Sequence, residues 1–282
     1  MSKILYRISV RSQRQPTILL WLIFCCISST LHSQVVTGDA YLIGAQVEIG
    51  IDGDAGHEGA ADWPDHNSRG GVTDVIFGFV ANPTDDGWVN YNGDYFTAGT
   101  PENGFGVEIN GRNYSNNAWN HNTTSTHLQE IPKRPGTNIT HSQVDSCLTV
   151  SWEGMVAGVV INVKYHLVKN KLYYNTEITI TNESGSDIND FYYYRNLDAD
   201  NNEPLTGNFN TTNTIIAQPN DECLKALVSA EQSTPWDSYV GIGSYGENFR
   251  VSHGGFSNRS GSDIWNGIGL NSTVGLIETG DF

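Results

Sequence analysis

Residues 159–167 read Val-Val-Ile-Asn-Val-Lys-Tyr-His-Leu, with apolar side chains at every odd position and polar ones at 162, 164 and 166. Alternation with a period of two residues is typical of a β-strand that buries one face. After a polar turn at residues 168–171, residues 172–181 resume the same alternation. The two segments therefore predict a long antiparallel hairpin with one face in water.

Further strands are predicted on both sides of this hairpin. Residues 188–197, which contain the run Phe-Tyr-Tyr-Tyr, predict a third strand. Trp152 is expected on a strand that precedes the hairpin. We therefore expect an antiparallel meander in this part of the chain.

The remaining sequence also favours β structure over helix. The chain contains 30 Gly and 28 Asn, which are poor helix formers. Residues 41–51, 72–81 and 105–109 predict strands, and long loops rich in Gly and Asn separate them. We predict an all-β fold, a large antiparallel β-sandwich with long Gly/Asn-rich loops, for which two packed sheets are one possible arrangement.

Composition and charge exclude some classes of protein. The 282 residues include 15 Lys and Arg against 31 Asp and Glu, a net charge of -16. A strongly acidic chain repels a phosphate backbone, so we expect no nucleic-acid partner. Aromatic residues make up 11% of the chain, which is too many for a disordered acidic tail.

The N-terminal segment has the pattern of a secretory signal peptide. Its four charged residues, Lys3, Arg7, Arg11 and Arg14, are all basic, and a ten-residue apolar run follows at residues 18–27. That run is half of the about 20 apolar residues that a membrane span needs. We predict a signal peptide at residues 1–33, cleavage between Ser33 and Gln34, and a secreted or cell-surface protein without a stable membrane span.

Removal of the signal peptide leaves one predicted module at residues 34–282. It has 11 basic and 31 acidic residues, a net charge of -20. No recognisable closing element precedes Phe282, so we expect the module to continue beyond this residue. Cys147 and Cys223 are its two cysteines. In an exported protein they are candidates for a disulfide bond, and two unpaired thiols are the alternative.

Seven segments carry a likeness to a known family: Tyr41–Gly44 with Val47–Ile51, Gly78–Val80 with Asp86–Trp88, Gly93–Phe105, and Thr179–Asn182 with Tyr193–Asn201. They resemble the N-terminal module of large exported surface proteins of gliding bacteria. Those proteins often carry a gliding-motility-associated or type IX secretion C-terminal domain, which does not occur within these 282 residues. The resemblance implies a bacterial, surface-exposed β module, and it implies no particular activity.

The acidic segment 198–203 is the candidate metal site. It reads Asp-Ala-Asp-Asn-Asn-Glu and follows a predicted strand. Ca²⁺ takes six to eight oxygen ligands, so Asp198, Asp200 and Glu203 are candidate calcium ligands. The alternatives are an acidic turn in water, or pairing of these carboxylates with Arg195.

Catalytic motifs are absent from the sequence, and tryptophans are its candidate ligand-binding residues. We find no Gly-x-Ser-x-Gly elbow and no His-Glu-x-x-His helix, and no pair of carboxylates stands out. Trp63, Trp88 and Trp119 lie in polar loops, where an indole ring can stack on a sugar. Packing against the sandwich is the alternative for each of them.

These features predict a non-enzymatic secreted or cell-surface β module that serves adhesion or surface assembly, with Ca²⁺ as a candidate stabilising ion. Its expected partners are a surface glycan or another protein, and its oligomeric state is left open. The alternative is a polysaccharide-binding or polysaccharide-degrading domain that uses the loop tryptophans and a carboxylate pair.

Overall fold

A computed structural model describes most of the chain beyond its first 32 residues. The described residues are 33–36, 38–53, 56, 78–81, 94–98, 103–117, 128–219, 224–232, 238–246, 249–254, 258–268 and 277–280. The chain divides into a unit of residues 1–30 and a compact unit of residues 31–282, and every described residue belongs to the second.

The described chain contains fifteen strands and two short helices. The strands are β1 Ser33–Val36, β2 Asp39–Ile43, β3 Val47–Ile51, β4 Phe79–Ala81, β5 Gly104–Ile109, β6 Arg112–Asn117, β7 Thr140–Val144, β8 Cys147–Val156, β9 Val159–Val168, β10 Tyr174–Asn182, β11 Phe191–Asn196, β12 Thr211–Ala217, β13 Lys225–Gln232, β14 Ser238–Tyr245 and β15 Ile277–Gly280. The helices are α1 Glu203–Thr206 and α2 Gly261–Asn266.

These strands form four antiparallel sheets. The strand orders are β1-β2-β3-β4, β10-β9-β8-β7, β11-β5-β6 and β14-β13-β12-β15. The described chain is nearly all β, and the predicted all-β, antiparallel, sandwich-like fold is confirmed.

The sheet of β7 to β10 confirms the alternation found in the sequence. The odd-numbered residues of β9 from Val159 to Leu167 are buried, and Lys164 and His166 lie on the opposite, half-exposed face. Strand β10 pairs with β9 in unbroken register, from Tyr174 opposite Leu167 to Asn182 opposite Val159. Trp152 lies on β8, as predicted, so β8, β9 and β10 form the expected meander.

The predicted third strand of the meander belongs to another sheet. Strand β11 pairs with β5 and not with β10. The reason is the fit between Tyr194 and Gly106, which lie directly opposite each other. A Cβ atom built on Gly106 would lie 2.3 Å from the Tyr194 ring, so only glycine leaves room for this pairing. The prediction that β11 extends the meander is wrong for this reason.

Residues 41–51, predicted as one strand, form the hairpin of β2 and β3 instead. Its turn is closed by the Gly44 N–H, which donates to the Val47 carbonyl at 3.0 Å. The N–H of Ala45 donates at 2.6 Å to the carbonyl of Lys169 in the turn between β9 and β10. This bond ties the hairpin to the sheet of β7 to β10.

Trp152 joins two sheets within the hydrophobic core. The residue is fully buried, and its ring meets that of Phe105 on β5 edge-on, with centroids 5.9 Å apart. Gly154 provides the space for the indole, since a Cβ atom there would lie 2.1 Å from the Trp152 ring. The pair of Trp152 and Phe105 therefore packs β8 against β5.

Candidate functional site

The predicted calcium ligands lie in the segment that leads from β11 into α1. Asp198 and Asp200 are buried, with exposed fractions of 3% and 1%, and Glu203 is the first residue of α1. The segment is therefore part of the packed interior, and the alternative of an acidic turn in water is wrong for its first two carboxylates.

The amide side chains of this segment anchor it to the sheet of β12 to β15. The Asn202 N–H donates to Gln232 Oε1 at 2.8 Å, and Asn202 Nδ2 donates to the Gln232 carbonyl at 3.0 Å. Ser238 Oγ donates to Asn201 Oδ1 at 2.7 Å. These bonds hold the segment against the ends of β13 and β14.

The described residues contain no group of three or more His, Cys, Asp or Glu side chains that could hold a metal ion. Asp198, Asp200 and Glu203 are close in sequence, yet they are not brought together as such a group. The alternative partner Arg195 donates to the Tyr193 hydroxyl at 3.3 Å and lies over the Tyr165 ring. Calcium binding at this segment stays a prediction.

Asp94 is a buried carboxylate that organises the backbone around it. It accepts the N–H groups of Gly78 at 2.7 Å, Phe79 at 3.1 Å, Phe96 at 2.8 Å and Thr97 at 3.2 Å. Burial raises the pKa of Asp94 above its ordinary value, although these hydrogen bonds act to lower it. The carboxylate therefore joins the segments 78–81 and 94–98.

Glu108 has a comparable structural role on β5. Its Oε2 accepts the Ser262 N–H at 2.8 Å and the Ser262 hydroxyl at 2.9 Å. The Ser260 hydroxyl donates to the same oxygen at 3.4 Å. These bonds fix the start of α2 to β5. The sequence contains no local motif that identifies either Asp94 or Glu108.

A row of polar side chains crosses the outer face of β8, β9 and β10. Thr149 Oγ1 and His166 Nδ1 lie 3.0 Å apart, and His166 Nε2 lies 3.4 Å from Glu177 Oε2. Lys164 Nζ donates to Glu177 Oε1 at 3.5 Å. A hydroxyl, an imidazole and a carboxylate that contact one another in this order resemble a catalytic triad.

The setting of this row does not favour catalysis. Glu177 and Lys164 are more than one-third exposed on an open sheet face, whereas acyl transfer relies on a site that excludes water and presents fixed donors. Arg134 adds two further pairs on this face, with Glu153 at 3.3 Å and Glu183 at 3.0 Å. The arrangement orders surface charge and holds Glu177 between two basic side chains.

The outer face of β14 is the second distinctive surface. Tyr239 and Tyr245 point outward with exposed fractions of 56% and 69%. Gly241 and Gly243 lie between them on the same exposed face. The Tyr95 hydroxyl hydrogen-bonds with the Tyr239 backbone, and burial raises the pKa of Tyr95. Gly241 and Gly243 therefore leave a strip of exposed backbone between the rings of Tyr239 and Tyr245, which we call the shelf.

The other predicted site residues fall largely outside the described part of the chain. Trp63, Trp88 and Trp119 all lie outside it, and their contact with sugars stays a prediction. Cys147 is half-buried at the start of β8 and has no disulfide partner among the described residues. Cys223 lies outside them, so the disulfide bond also stays a prediction.

Comparison with known proteins adds no identification. No protein-family model matches the sequence, and no curated protein or solved structure matches it either. The resemblance to surface proteins of gliding bacteria therefore stays a prediction. No helix among the described residues is long and apolar enough to cross a membrane.

Proposed function

We propose that the chain is a non-enzymatic β module of a secreted or cell-surface protein and that it acts in adhesion or surface assembly. The observation that carries this proposal is the hydrogen bonding of two of the buried carboxylates among the described residues. Asp94 and Glu108, the kind of buried acid that a hydrolase would employ, are both occupied by backbone amides or serine hydroxyls. What the module offers to a partner is its open sheet surface.

The proposal also draws on the predicted signal peptide, the acidic balance and the resemblance to exported surface proteins. The outer face of β7 to β10 is an open surface among the described residues. Along β8 and β9 its hydroxyl, amide and charged side chains alternate with buried ones, and β7 and most of β10 are exposed. A flat polar face of this kind suits contact between macromolecules better than it suits chemistry on a small molecule.

The test compares hydrolysis with binding. The purified protein is incubated with neutral and acidic polysaccharides, and reducing ends and retained protein are both measured. The proposal predicts that the protein releases no reducing ends from these polysaccharides at any acidic or neutral pH. Release that Asp94→Asn or Glu177→Gln abolishes, with the fold intact by circular dichroism, would identify an enzyme.

The shelf on β14 favours a second candidate function, the binding of a neutral polysaccharide. Tyr239 and Tyr245 are six residues apart on one strand face, a separation of about 20 Å. Gly241 and Gly243 expose their backbone between the two rings. Aromatic faces at both ends of an open strip of backbone are suited to an extended sugar chain.

Retention on an insoluble neutral glucan tests this second function. Tyr239→Ala and Tyr245→Ala should each weaken retention about tenfold, the size of one lost aromatic contact. The matched control is Tyr173→Ala, an exposed tyrosine just before β10, which should leave retention unchanged. Equal retention by all the variants would exclude the shelf.

A further inference from the structure

Strand β10 is the longest edge strand among the described sheets. Its inner edge pairs with β9 over nine residues without a bulge. No other described strand, and no isolated bridge among the described residues, pairs with its outer edge. Along residues 175–182, alternate backbone N–H and C=O groups therefore face away from the sheet.

The sequence of β10 does little to protect this edge. Natural sheets block long edges with charged side chains, above all Lys, or with Pro, a bulge or a covering element. Strand β10, Tyr-Asn-Thr-Glu-Ile-Thr-Ile-Thr-Asn, has one charged residue, Glu177, and no Lys, Pro or bulge, and its last four residues are exposed. They include Ile180, with an exposed fraction of 37%. An unprotected edge rich in β-branched residues is a site for the addition of another strand.

We propose that the added strand is β10 of a second copy of this chain, paired antiparallel about Ile178. This inference rests on the proposed function and names the partner for its assembly. Antiparallel pairing of one strand with its own copy gives a two-fold symmetric interface in which the same surface serves both sides. It joins the two four-stranded sheets into one sheet of eight strands.

The residues of β10 are self-complementary in this register. Ile178 lies opposite Ile178 of the second copy, and Thr176 lies opposite Ile180. Pairs of β-branched residues stabilise neighbouring strands. On the outer face, Glu177 lies opposite Thr179, whose hydroxyl can donate to a carboxylate. Pairing about Ile178 also overlaps all nine residues, the most that the strand allows.

Charge favours this strand over other surfaces for contact between copies. The chain has a net charge of -16, so most approaches of two copies are repulsive. Glu177 is the single charged residue of β10, and Lys164 and His166 face it at 3.5 and 3.4 Å. A register centred on Glu177 would place two carboxylates opposite each other, which excludes it.

The interface is narrow, so we expect the association of two copies to be reversible. One strand pair falls in the class of weak, transient contacts below about 1,200 Å² of buried surface. Sedimentation equilibrium of the purified protein, from micromolar to millimolar concentration, should therefore find a monomer that converts to a dimer. No larger species is expected through this contact, because the dimer occupies the outer edge of β10 in both copies.

Two substitutions at one exposed position test the register. Thr179→Glu places a carboxylate opposite Glu177 twice in the dimer and should weaken association about tenfold. Thr179→Lys forms two opposite-charge pairs and should strengthen association about tenfold. Thr140→Glu and Thr140→Lys, on the exposed edge strand β7 of the same sheet, are the matched controls and should leave association unchanged.

The outcomes separate this inference from the proposed function. A protein that stays monomeric at every concentration, or a dimer that is indifferent to both Thr179 variants, overturns pairing through β10. Neither result affects the non-enzymatic role, which release of reducing ends from a polysaccharide would overturn instead. Far-ultraviolet circular dichroism and melting temperature establish that each variant is folded.

Discussion

Lys164 donates from Nζ to Glu177 Oε1 at 3.5 Å, across the pair of strands β9 and β10. Glu177 is the single formal charge of β10, and His166 approaches its second carboxylate oxygen. The contact therefore balances the charge of the edge strand, which we infer to be the surface that meets a second copy. We expect this contact to affect the association of two copies more than it affects the free energy of unfolding.

Removal of this charge should leave the fold almost unchanged. Glu177→Gln should alter the free energy of unfolding by less than about 1 kcal/mol, because both partners of the ion pair are exposed. Urea denaturation measures this change. In the Glu177→Gln background, Thr179→Lys should lose its gain in association, since the opposite charge is gone. A gain that persists there would contradict the register.

Trp152 should be among the most sensitive positions of the core. Trp152→Ala should lower the free energy of unfolding by about 3–5 kcal/mol, because the residue is fully buried between β8 and β5. The control is Trp265→Ala, since this indole is half-buried and lies under Arg250. This substitution should lower the free energy of unfolding by less. Equal losses in chemical denaturation would contradict the central position of Trp152.

Asp94 should give the protein a specific dependence on pH. Burial raises the folded pKa of this carboxyl above the unfolded value, so folding favours its neutral form. The stabilisation that Asp94 provides is complete below the pKa that its carboxyl has in the unfolded chain. It is lost as the pH rises through the pKa of the same carboxyl in the folded protein. The free energy of unfolding of the natural protein should therefore fall, relative to that of Asp94→Asn, as pH rises through this range.

Urea denaturation of the two proteins over the acidic range measures this difference. Asp94→Asn should be the less stable protein at low pH, by about 1–3 kcal/mol, because an amide nitrogen then faces backbone donors. A gap that widens as pH rises would show that the folded pKa lies below the unfolded one.

The sequence predicts the strands whose alternation is regular and does not predict how distant strands pair. Strands β8, β9 and β10 have alternating apolar residues, so their faces and their pairing follow from local pattern. Strand β11 follows β10 directly in sequence, and proximity favoured its addition to the same sheet. Its true partner depends on Gly106 opposite Tyr194, a contact between residues far apart in the chain.

Candidate site residues were harder to predict than strands for a related reason. Asp94 accepts two nearby amides, but its other partners lie 15 and 16 residues away, and the serine partners of Glu108 lie more than 150 residues away, so no spacing identifies these roles. The cluster of Asp198 and Asp200 was conspicuous in sequence, but its burial depends on anchors in β13 and β14. Acidic composition alone does not distinguish a buried segment from an exposed one.

The calcium prediction has a direct test. The sequence predicts a higher melting temperature in millimolar Ca²⁺ than in EDTA, and heat of binding in calorimetry. Asp200→Asn should remove both effects, and Asp187→Asn, in the turn between β10 and β11, should preserve both. No heat and equal melting temperatures would show that protein groups alone hold the segment 198–203.

The most direct measurement of self-assembly through β10 is the formation of a symmetric disulfide bond. Residues directly opposite each other on antiparallel strands have Cα atoms about 4.5–5.5 Å apart, within the range that a disulfide spans. Ile178→Cys lies opposite its own copy, whereas Thr179→Cys lies opposite Glu177. Pairing through β10 predicts a covalent dimer of Ile178→Cys under mild oxidation and little from Thr179→Cys, although Thr179 is the more exposed residue. Faster linkage of Thr179→Cys, or no linkage of Ile178→Cys beyond that of the unsubstituted protein, would contradict it.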